Sequence, residues 1–270
     1  MALALEPIPP ARHPSHAVAG FVLAGGGSTR LGQDKVLLPW PSGLGMAGGD
    51  PLPATLLDHA VARLRQVCSP VRVCANRNDL PRYEPLIPDA RADAGPLAGI
   101  VAALEQTQSD WNLFLAVDMP LAPVELLRAL VERTQDGERE AHGSGGTAAS
   151  SLSALRPRRC ILPTTGGRPQ PLCALYHRSL AAGLRRALEA GKYKIMLALL
   201  DALGDTGGLE QVSRLARLAM DQPGACSAPA AAQLLPQEWF LNVNTQEDWM
   251  RATAIAQRGA RAVRDAALDS

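Results

Sequence analysis

The sequence predicts an α/β fold, a three-layer α/β/α sandwich built on a mostly parallel sheet. Three observations predict it. Short apolar runs alternate with segments of helical spacing through the first half of the chain, as strands joined by crossover helices do. The first run, residues 21–24, stops abruptly at three glycines, Gly25, Gly26 and Gly27. The apolar runs also end on Gly25, Asp89 and Asp118, and sheets of this kind bind ligands beyond the carboxyl ends of their strands.

At 270 residues the chain is long enough for a substantial core. With 47% hydrophobic and 20% charged residues it has the composition of an ordinary globular protein. A net charge of +1 gives no general field to recruit nucleic acid or an acidic membrane, so basic groups must act locally. The opening segment, MALALEPIPPARHPSH, has several prolines and no long apolar centre, and no apolar run approaches the length of a membrane span. Neither a secretory signal nor a transmembrane helix is expected. Five scattered cysteines (Cys68, Cys74, Cys160, Cys173, Cys226) form no CxxC pair, and the histidines have no metal-ligand spacing. That argues against a disulfide framework or a zinc site and for a reducing, cytoplasmic location.

In chain order, residues 1–17 read as a flexible tail and 41–53 as a Gly/Pro-rich insertion. Thr55 is the expected N-cap of a helix through Gln66, with Leu56, Leu57, Ala60, Val61 and Leu64 on one face. Residues 71–75 predict a second strand and 86–87 a short third one. A helix is expected from the Gly95 loop to Gln106, a strand over 111–117, and a helix opened by Pro123 that runs through Arg133. Residues 135–153, dominated by Gly, Ser and Ala, read as a mobile loop. Strands over 159–162 and 172–176 flank Gly166-Gly167-Arg168-Pro169-Gln170-Pro171, and helices follow at 179–190 and 193–202. Residues 209–220 have helical periodicity and 221–236 the composition of a linker. Thr245 and Asp248 form a capping box for a final helix. The expected domain plan is a tail over 1–17 and one domain over 18–257, with insertions near 41–54, 135–154 and 203–237. A helix end or tail occupies 258–270.

Several residues carry possible chemistry, each beside a plainer use. After the glycines come Ser28, Thr29, Arg30, Gly32 and Lys35. Main-chain N–H groups with Arg30 and Lys35 would make an anion cradle suited to phosphates. The same string also suits a tight turn with solvated charges. It is not a Walker A loop, because Gln33 and Asp34 follow Gly32, nor a dinucleotide fingerprint, because Arg30 stands where a glycine is required. Asp118, at a strand end, would hold Mg²⁺ against phosphate oxygens, or serve as a turn or N-cap aspartate. Asp89 has the same two uses and a third, a hydrogen bond to a base or ribose. Asn242 and Asn244 would complete a metal or phosphate site, or satisfy a turn. Arg168 would face an anionic substrate or cap its loop, which Gln170 and Pro171 shape.

The string Leu-Ala-Gly-Gly-x-Ser-x-Arg-x-Gly-x-Asp-Lys over residues 23–35, with Leu37-Leu38-Pro39 after it, resembles the signature of the nucleotidyltransferases related to molybdenum cofactor guanylyltransferase. Later blocks agree in order. Gly95-Pro96-Leu97-Ala98-Gly99 resembles the family's second glycine segment, and Leu115 to Pro120 its strand ending in a metal-binding aspartate. Gly167 to Leu172 resembles its substrate-side segment, and Asn242-Val243-Asn244-Thr245 its late asparagine block. The resemblance covers roughly residues 20–249 and implies a Rossmann-like nucleotidyltransferase sheet. It implies that Leu23, Ala24 and Gly25 contact a nucleotide through main chain, that Lys35 meets its phosphates, and that Asp89 binds the nucleotide. Asp118 would bind both nucleotide and Mg²⁺, with Arg30 assisting catalysis and Arg168, Asn242 and Asn244 on the acceptor side. Two positions depart from the family: Cys74, where an asparagine is common, and Gln170, where histidine is often found.

The activity so implied is Mg²⁺-dependent transfer of GMP from GTP to the phosphate of molybdenum-carrying molybdopterin, with release of pyrophosphate. GTP and molybdopterin are then the partners, with transient contact to molybdenum-insertion proteins and molybdoenzyme chaperones. Gly26 beside Gly25 favours guanylyl over cytidylyl relatives, which tend to carry alanine there. Transfer of another nucleotide, to molybdopterin or to a sugar phosphate, is the alternative within the class. A non-catalytic carrier of the pterin is the alternative outside it, and Lys35, Asp89 and Asp118 argue against that role.

Overall fold

A computed structural model describes residues 18–25, 34–41, 55–142, 158–204, 207–212 and 236–268, with backbone alone for 136–142 and 259–268. The sheet comprises β1 (Ala19–Leu23), β2 (Val71–Cys74), β3 (Trp111–Ala116), β4 (Cys160–Thr165), β5 (Arg168–Pro169), β6 (Cys173–His177) and β7 (Leu209–Val212). Its order is β2-β1-β3-β6-β4-β5, with β7 paired to β4. Strands β1, β2 and β3 are parallel, and β4 and β7 run with them; β6 and the two-residue β5 run against. The expected mostly parallel sheet is thus present, with its antiparallel strand next to β3.

Both faces are covered, and the side-chain period of two sorts residues between them. Val22 of β1, Leu113 and Leu115 of β3 and Leu175 of β6 face α1 (Leu56–Arg65), α3 (Val124–His142) and α6 (Gln246–Leu268). Phe21, Leu23, Phe114 and Tyr176 face α2 (Pro96–Gln106), α4 (Ala181–Glu189) and α5 (Ile195–Leu203). On that second face three rings pack across neighbouring strands, Phe21 on Phe114 at 5.2 Å and Phe114 on Tyr176 at 5.4 Å between centroids. They tie the parallel half of the sheet to its antiparallel strand.

Local chemistry places the helix starts. Thr55 Oγ1 accepts from the Asp58 N–H at 3.1 Å while the Asp58 carboxylate accepts from the Thr55 N–H at 3.0 Å, a reciprocal cap on α1. The same exchange between Thr245 and Asp248 opens α6. At α2, Pro96 takes the first helical position, and Gly95 supplies the positive φ of 67° that the entry needs.

Three expectations change. Residues 135–142 belong to α3 rather than to a loop; apart from Gly137, this Glu/Arg-containing stretch is made of residues a helix tolerates. Residues 209–212 form β7 rather than a helix. The carbonyl of Gly208 accepts from the N–H groups of both Arg159 and Cys160, so the exposed edge of β4 captures a segment whose apolar spacing fitted either state. Residues 86–87 contribute one parallel bridge, Cys74 to Ile87, instead of a strand. The tail over 1–17, the remainder of the expected loop (143–153) and the linker over 221–235 lie outside the described residues. No described helix is long and apolar enough to cross a membrane.

Candidate active site

The parallel register brings the candidate residues to one edge. Leu23 pairs with Cys74 on one side and with Ala116 on the other, so β1, β2 and β3 end at the same level. The chain then delivers Gly25 after β1, Asn76 and Arg77 after β2, and Asp118 after β3. Since β1 is central, Gly25 lies between two polar corners separated by two strand spacings, roughly 10 Å.

The first corner is Asp118. Lys35 reaches it from a short 3-10 turn (Lys35–Leu37), placing Nζ 3.2 Å from Asp118 Oδ2 and 3.3 Å from Asn244 Oδ1. Both members of the ion pair are mostly covered, their side chains 13% and 17% exposed, so the pair is less screened than a surface one. Asn244 arrives because the Val243 N–H donates to the Asp118 carbonyl at 2.9 Å. Val243 is buried in the core while Asn242 and Asn244 on either side are exposed. Asp118 Oδ1 is buried and has no hydrogen-bond partner among the described residues. An orphan carboxylate oxygen on a residue that shares the Lys35 ammonium with the Asn244 amide oxygen offers hard oxygen donors, suited to Mg²⁺. Among the described residues, no three His, Cys, Asp or Glu side chains converge to hold a metal by themselves.

Behind Asp118 the turn is anchored from the core. The Pro120 carbonyl accepts from Arg63 Nη1, and His59 Nε2 lies 2.9 Å from that carbonyl and 2.9 Å from the guanidinium. Both side chains are buried. Burial, reinforced by the neighbouring Arg63 charge, pushes His59 down to about 3 and keeps it neutral. Burial lowers Arg63 to about 10, which leaves it cationic at neutral pH.

The second corner is Asp89. Asn76 Nδ2 donates to Asp89 Oδ2 at 2.8 Å and Asn76 Oδ1 accepts from the Asp89 N–H at 2.6 Å, so one amide fixes both ends of the residue. Burial raises the Asp89 carboxyl above its ordinary value, opposed by the Asn76 hydrogen bond. Space around it depends on small residues: a Cβ at Gly99 would come within 3.1 Å of Asp89 Oδ1 and 3.2 Å of Leu23 Cδ2. A cavity of about 590 Å³ opens here between β1, β2 and the start of α2, with Leu23, Ala24, Gly25, Asn76, Arg77 and Asp89 on its walls. Cys74 also lines it, its thiol raised to about 12 chiefly by burial and so protonated.

Arg77 closes the rim. Its Nη2 donates to Asp34 Oδ2 at 2.5 Å and to Asp79 Oδ2 at 2.6 Å, and its Nε to Asp79 Oδ1 at 2.6 Å. Asp34 Oδ1 meanwhile accepts from the Val36 N–H at 3.1 Å, capping the turn that carries Lys35.

The structure therefore brings Lys35, Asp118 and Asn244 together, and groups Leu23, Ala24, Gly25 and Asp89 around the cavity. Arg168 belongs to neither group. It follows the Gly166-Gly167 turn between β4 and β5, where both glycines have positive φ as such a hairpin requires, and it is exposed. Asn242 is exposed beside Asn244. Arg30 and Gly26 lie outside the described residues. Four residues escape sequence reasoning as parts of the site: Asn76, Arg77, His59 and Arg63. The first two are foreshadowed by Ala75-Asn76-Arg77 directly after a strand, the last two by a polar i, i+4 pair within an otherwise apolar helix face.

Comparison with known proteins assigns the chain to a family. Residues 20–205 match the MobA-like NTP transferase domain family. The chain is 31% identical over 239 residues to a molybdenum cofactor guanylyltransferase of Serratia proteamaculans, covering 87% of this chain and 93% of that protein. Among solved structures, the molybdopterin-guanine dinucleotide biosynthesis protein A of Archaeoglobus fulgidus shares the fold with a TM-score of 0.58 and 23% identity, over 89% of this chain and all of that one. A nucleotidyl transferase from Methanothermobacter does so with a TM-score of 0.53 and 16% identity, over 90% and 98% of the two chains. A family match across most of the sheet, and a relative aligned nearly end to end, place this chain as an enzyme among the nucleotidyltransferases, in the MobA-like molybdenum cofactor guanylyltransferase family.

Proposed function

We propose that the protein acts in molybdenum cofactor biosynthesis, transferring GMP from GTP to the terminal phosphate of molybdopterin. The observation that carries this reading is the convergence of Lys35, Asp118 and Asn244 at the strand ends, beside the cavity that holds Asp89. The nucleotide lies across the end of β1, its base toward Asp89 and its phosphates toward Lys35. The Asp89 carboxylate, fixed by Asn76, accepts from N–H groups on the base edge, which guanine presents and adenine does not at the corresponding ring nitrogen. Gly25 leaves room for close approach of the main chain.

In the transfer, a pterin phosphate oxygen attacks the α-phosphorus, and the bond to the β-phosphate bridging oxygen breaks. Pyrophosphate leaves with that electron pair. The protein's part is to position the groups and to neutralise growing charge, with the Lys35 ammonium as the main cation on the described chain. Asp118 and Asn244 would hold Mg²⁺, which supplies further charge neutralisation on the phosphate oxygens. Arg30, Asn242 and Arg168 are proposed to face phosphates or the acceptor, and the enzyme is proposed to work in the cytoplasm.

A nucleotide panel tests the assignment, with pyrophosphate release followed in the presence and absence of molybdopterin. GTP is expected to be consumed in preference to CTP and ATP, and only with the acceptor. Equal or faster release from CTP would move the protein to cytidylyl transfer. Binding of molybdopterin without turnover of any nucleotide would replace the enzyme reading with a carrier.

A further inference from the structure

Arg77 sits on the cavity rim, but its guanidinium is engaged with two carboxylates, Asp34 and Asp79. Asp34 immediately precedes Lys35 and divides its own oxygens. Oδ1 caps the turn through the Val36 N–H, and Oδ2 takes the Arg77 guanidinium. Arg77 follows β2 and Asp34 lies on the chain after β1, so the contact joins the far end of the glycine loop to the neighbouring strand.

We propose that Arg77 is a positioning residue for nucleotidyl transfer, holding Asp34 so that the turn presents Lys35 to Asp118. The proposal rests on the phosphate role of Lys35 set out above. A lysine ammonium is a point charge on a long, rotatable stem, and its direction at the tip depends on how firmly the backbone beneath it is held. The Asp34 cap fixes that backbone from one side only. Arg77 fixes the cap itself, and a planar fork can hold Asp34 and Asp79 at once where an ammonium would hold them less directionally. Exposed or half-exposed ion pairs of this kind add little to global stability. Their geometry is therefore expressed in turnover: a small displacement of Lys35 away from Asp118 weakens the charge that meets the departing pyrophosphate.

The experiment is a double-mutant cycle between Arg77 and Lys35 in steady-state kinetics with magnesium, acceptor and the nucleotide that wild type turns over. Arg77→Ala is expected to lower kcat about tenfold, with KM for the nucleotide changed less than about twofold and an unchanged thermal midpoint. Arg77→Lys recovers part of that loss. Asp34→Asn matches Arg77→Ala, and the two together cost no more than either alone. In the Lys35→Ala background, Arg77→Ala costs less than about twofold, because the residue it positions is gone. A full, multiplicative loss in that background would mean that Arg77 acts on the nucleotide itself and would overturn the proposal. An unchanged kcat in Arg77→Ala, or a rise in KM alone, would overturn it as well. If Arg77→Ala folds poorly, Arg77→Lys and Asp34→Asn carry the same cycle. Failure of wild type to use GTP counts against the proposed substrate, whereas absence of coupling between Arg77 and Lys35 counts against the positioning role.

Discussion

The two carboxylate corners stand at the same level of one sheet yet are built in opposite ways. Asp89 is held by a neighbour thirteen positions away in sequence, Asn76, through two hydrogen bonds, and is surrounded by glycines and a cavity. Asp118 is met by Lys35 and Asn244 from distant parts of the chain, and is backed by a buried cation acting on Pro120. The Asp89 corner is a preformed acceptor with room in front of it, the form of a recognition site. The Asp118 corner concentrates opposite charges in a partly covered place, where electrostatic effects are stronger than in open water. On the proposed function, the difference separates binding from chemistry within one ligand.

The sharpest way to break that division is Lys35→Ala. If the Asp118 corner does the chemistry, loss of the ammonium lowers kcat by about 10²–10³, the usual cost of one preorganised electrostatic contact. Lys35→Arg recovers only part, since a guanidinium presents its donors differently. The thermal midpoint falls too, since Asp118 loses the partner of a mostly covered ion pair. Steady-state kinetics alongside a melt separates the two, and wild-type turnover in Lys35→Ala would leave the lysine with a structural ion-pair role alone.

A second, smaller effect probes the backing of the same corner. Arg63→Met removes one of the two side chains at the Pro120 carbonyl, leaving His59 Nε2 2.9 Å away, at an expected cost of about 1 kcal/mol in unfolding free energy. Its neighbour adds a pH signature. The neutral imidazole of His59 has a folded pKa of about 3, below the 6.5 of the free side chain. The unfolded chain therefore binds the extra proton between those values, and stability falls as pH drops below about 6.5. Because the Arg63 charge is one cause of the depression, Arg63→Met raises the folded pKa of His59 and flattens the acid side of the stability curve. Denaturant melts from pH 7 to pH 4 follow this. An acid limb as steep in Arg63→Met as in wild type would show that the charge of Arg63 does not reach His59.

These two corners were not equally legible in the sequence. Gly25, Asp89 and Asp118 each end an apolar run, and the parallel alternation was enough to expect them at one edge. Lys35 and Asn244 could be named as candidates from the glycine string and the alternate asparagines, each beside a plainer use that the family resemblance made less favoured, but their meeting at Asp118 depends on a main-chain bond from Val243 to Asp118 that no local pattern encodes. Asn76 and Arg77 were hidden for a different reason. Polar residues after a strand ordinarily read as turn formers, as the local Arg77–Asp79 pair does, and only the closeness of residues 34 and 89 in space joins them to the site. The strand β7 was hidden because four residues fit a helix or an edge strand equally well until β4 offers its ladder.

The smallest expected effect tests the Asp89 corner by itself. Asn76→Ala removes the hydrogen bond to the half-buried Asp89 carboxylate and the one that holds the Asp89 N–H, expected to weaken nucleotide binding by about 1 kcal/mol, a roughly fivefold rise in KM. On the division drawn here kcat stays within about twofold, because Asn76 touches neither Lys35 nor Asp118. The sign of the pH dependence strengthens the test. Burial already raises the Asp89 carboxyl above the ordinary range, and the Asn76 hydrogen bond is the influence that holds it down. As pH falls, protonation therefore begins at a higher pH than for an exposed aspartate, and a protonated Asp89 is a poorer acceptor for base N–H groups. Wild-type KM is expected to rise on the acid side, and in Asn76→Ala that rise starts at a higher pH still, since the lowering influence is gone. KM and kcat for the nucleotide, measured from pH 8 to pH 5 in both proteins, decide it. A shift confined to kcat would move Asp89 from recognition to chemistry and erase the contrast between the corners.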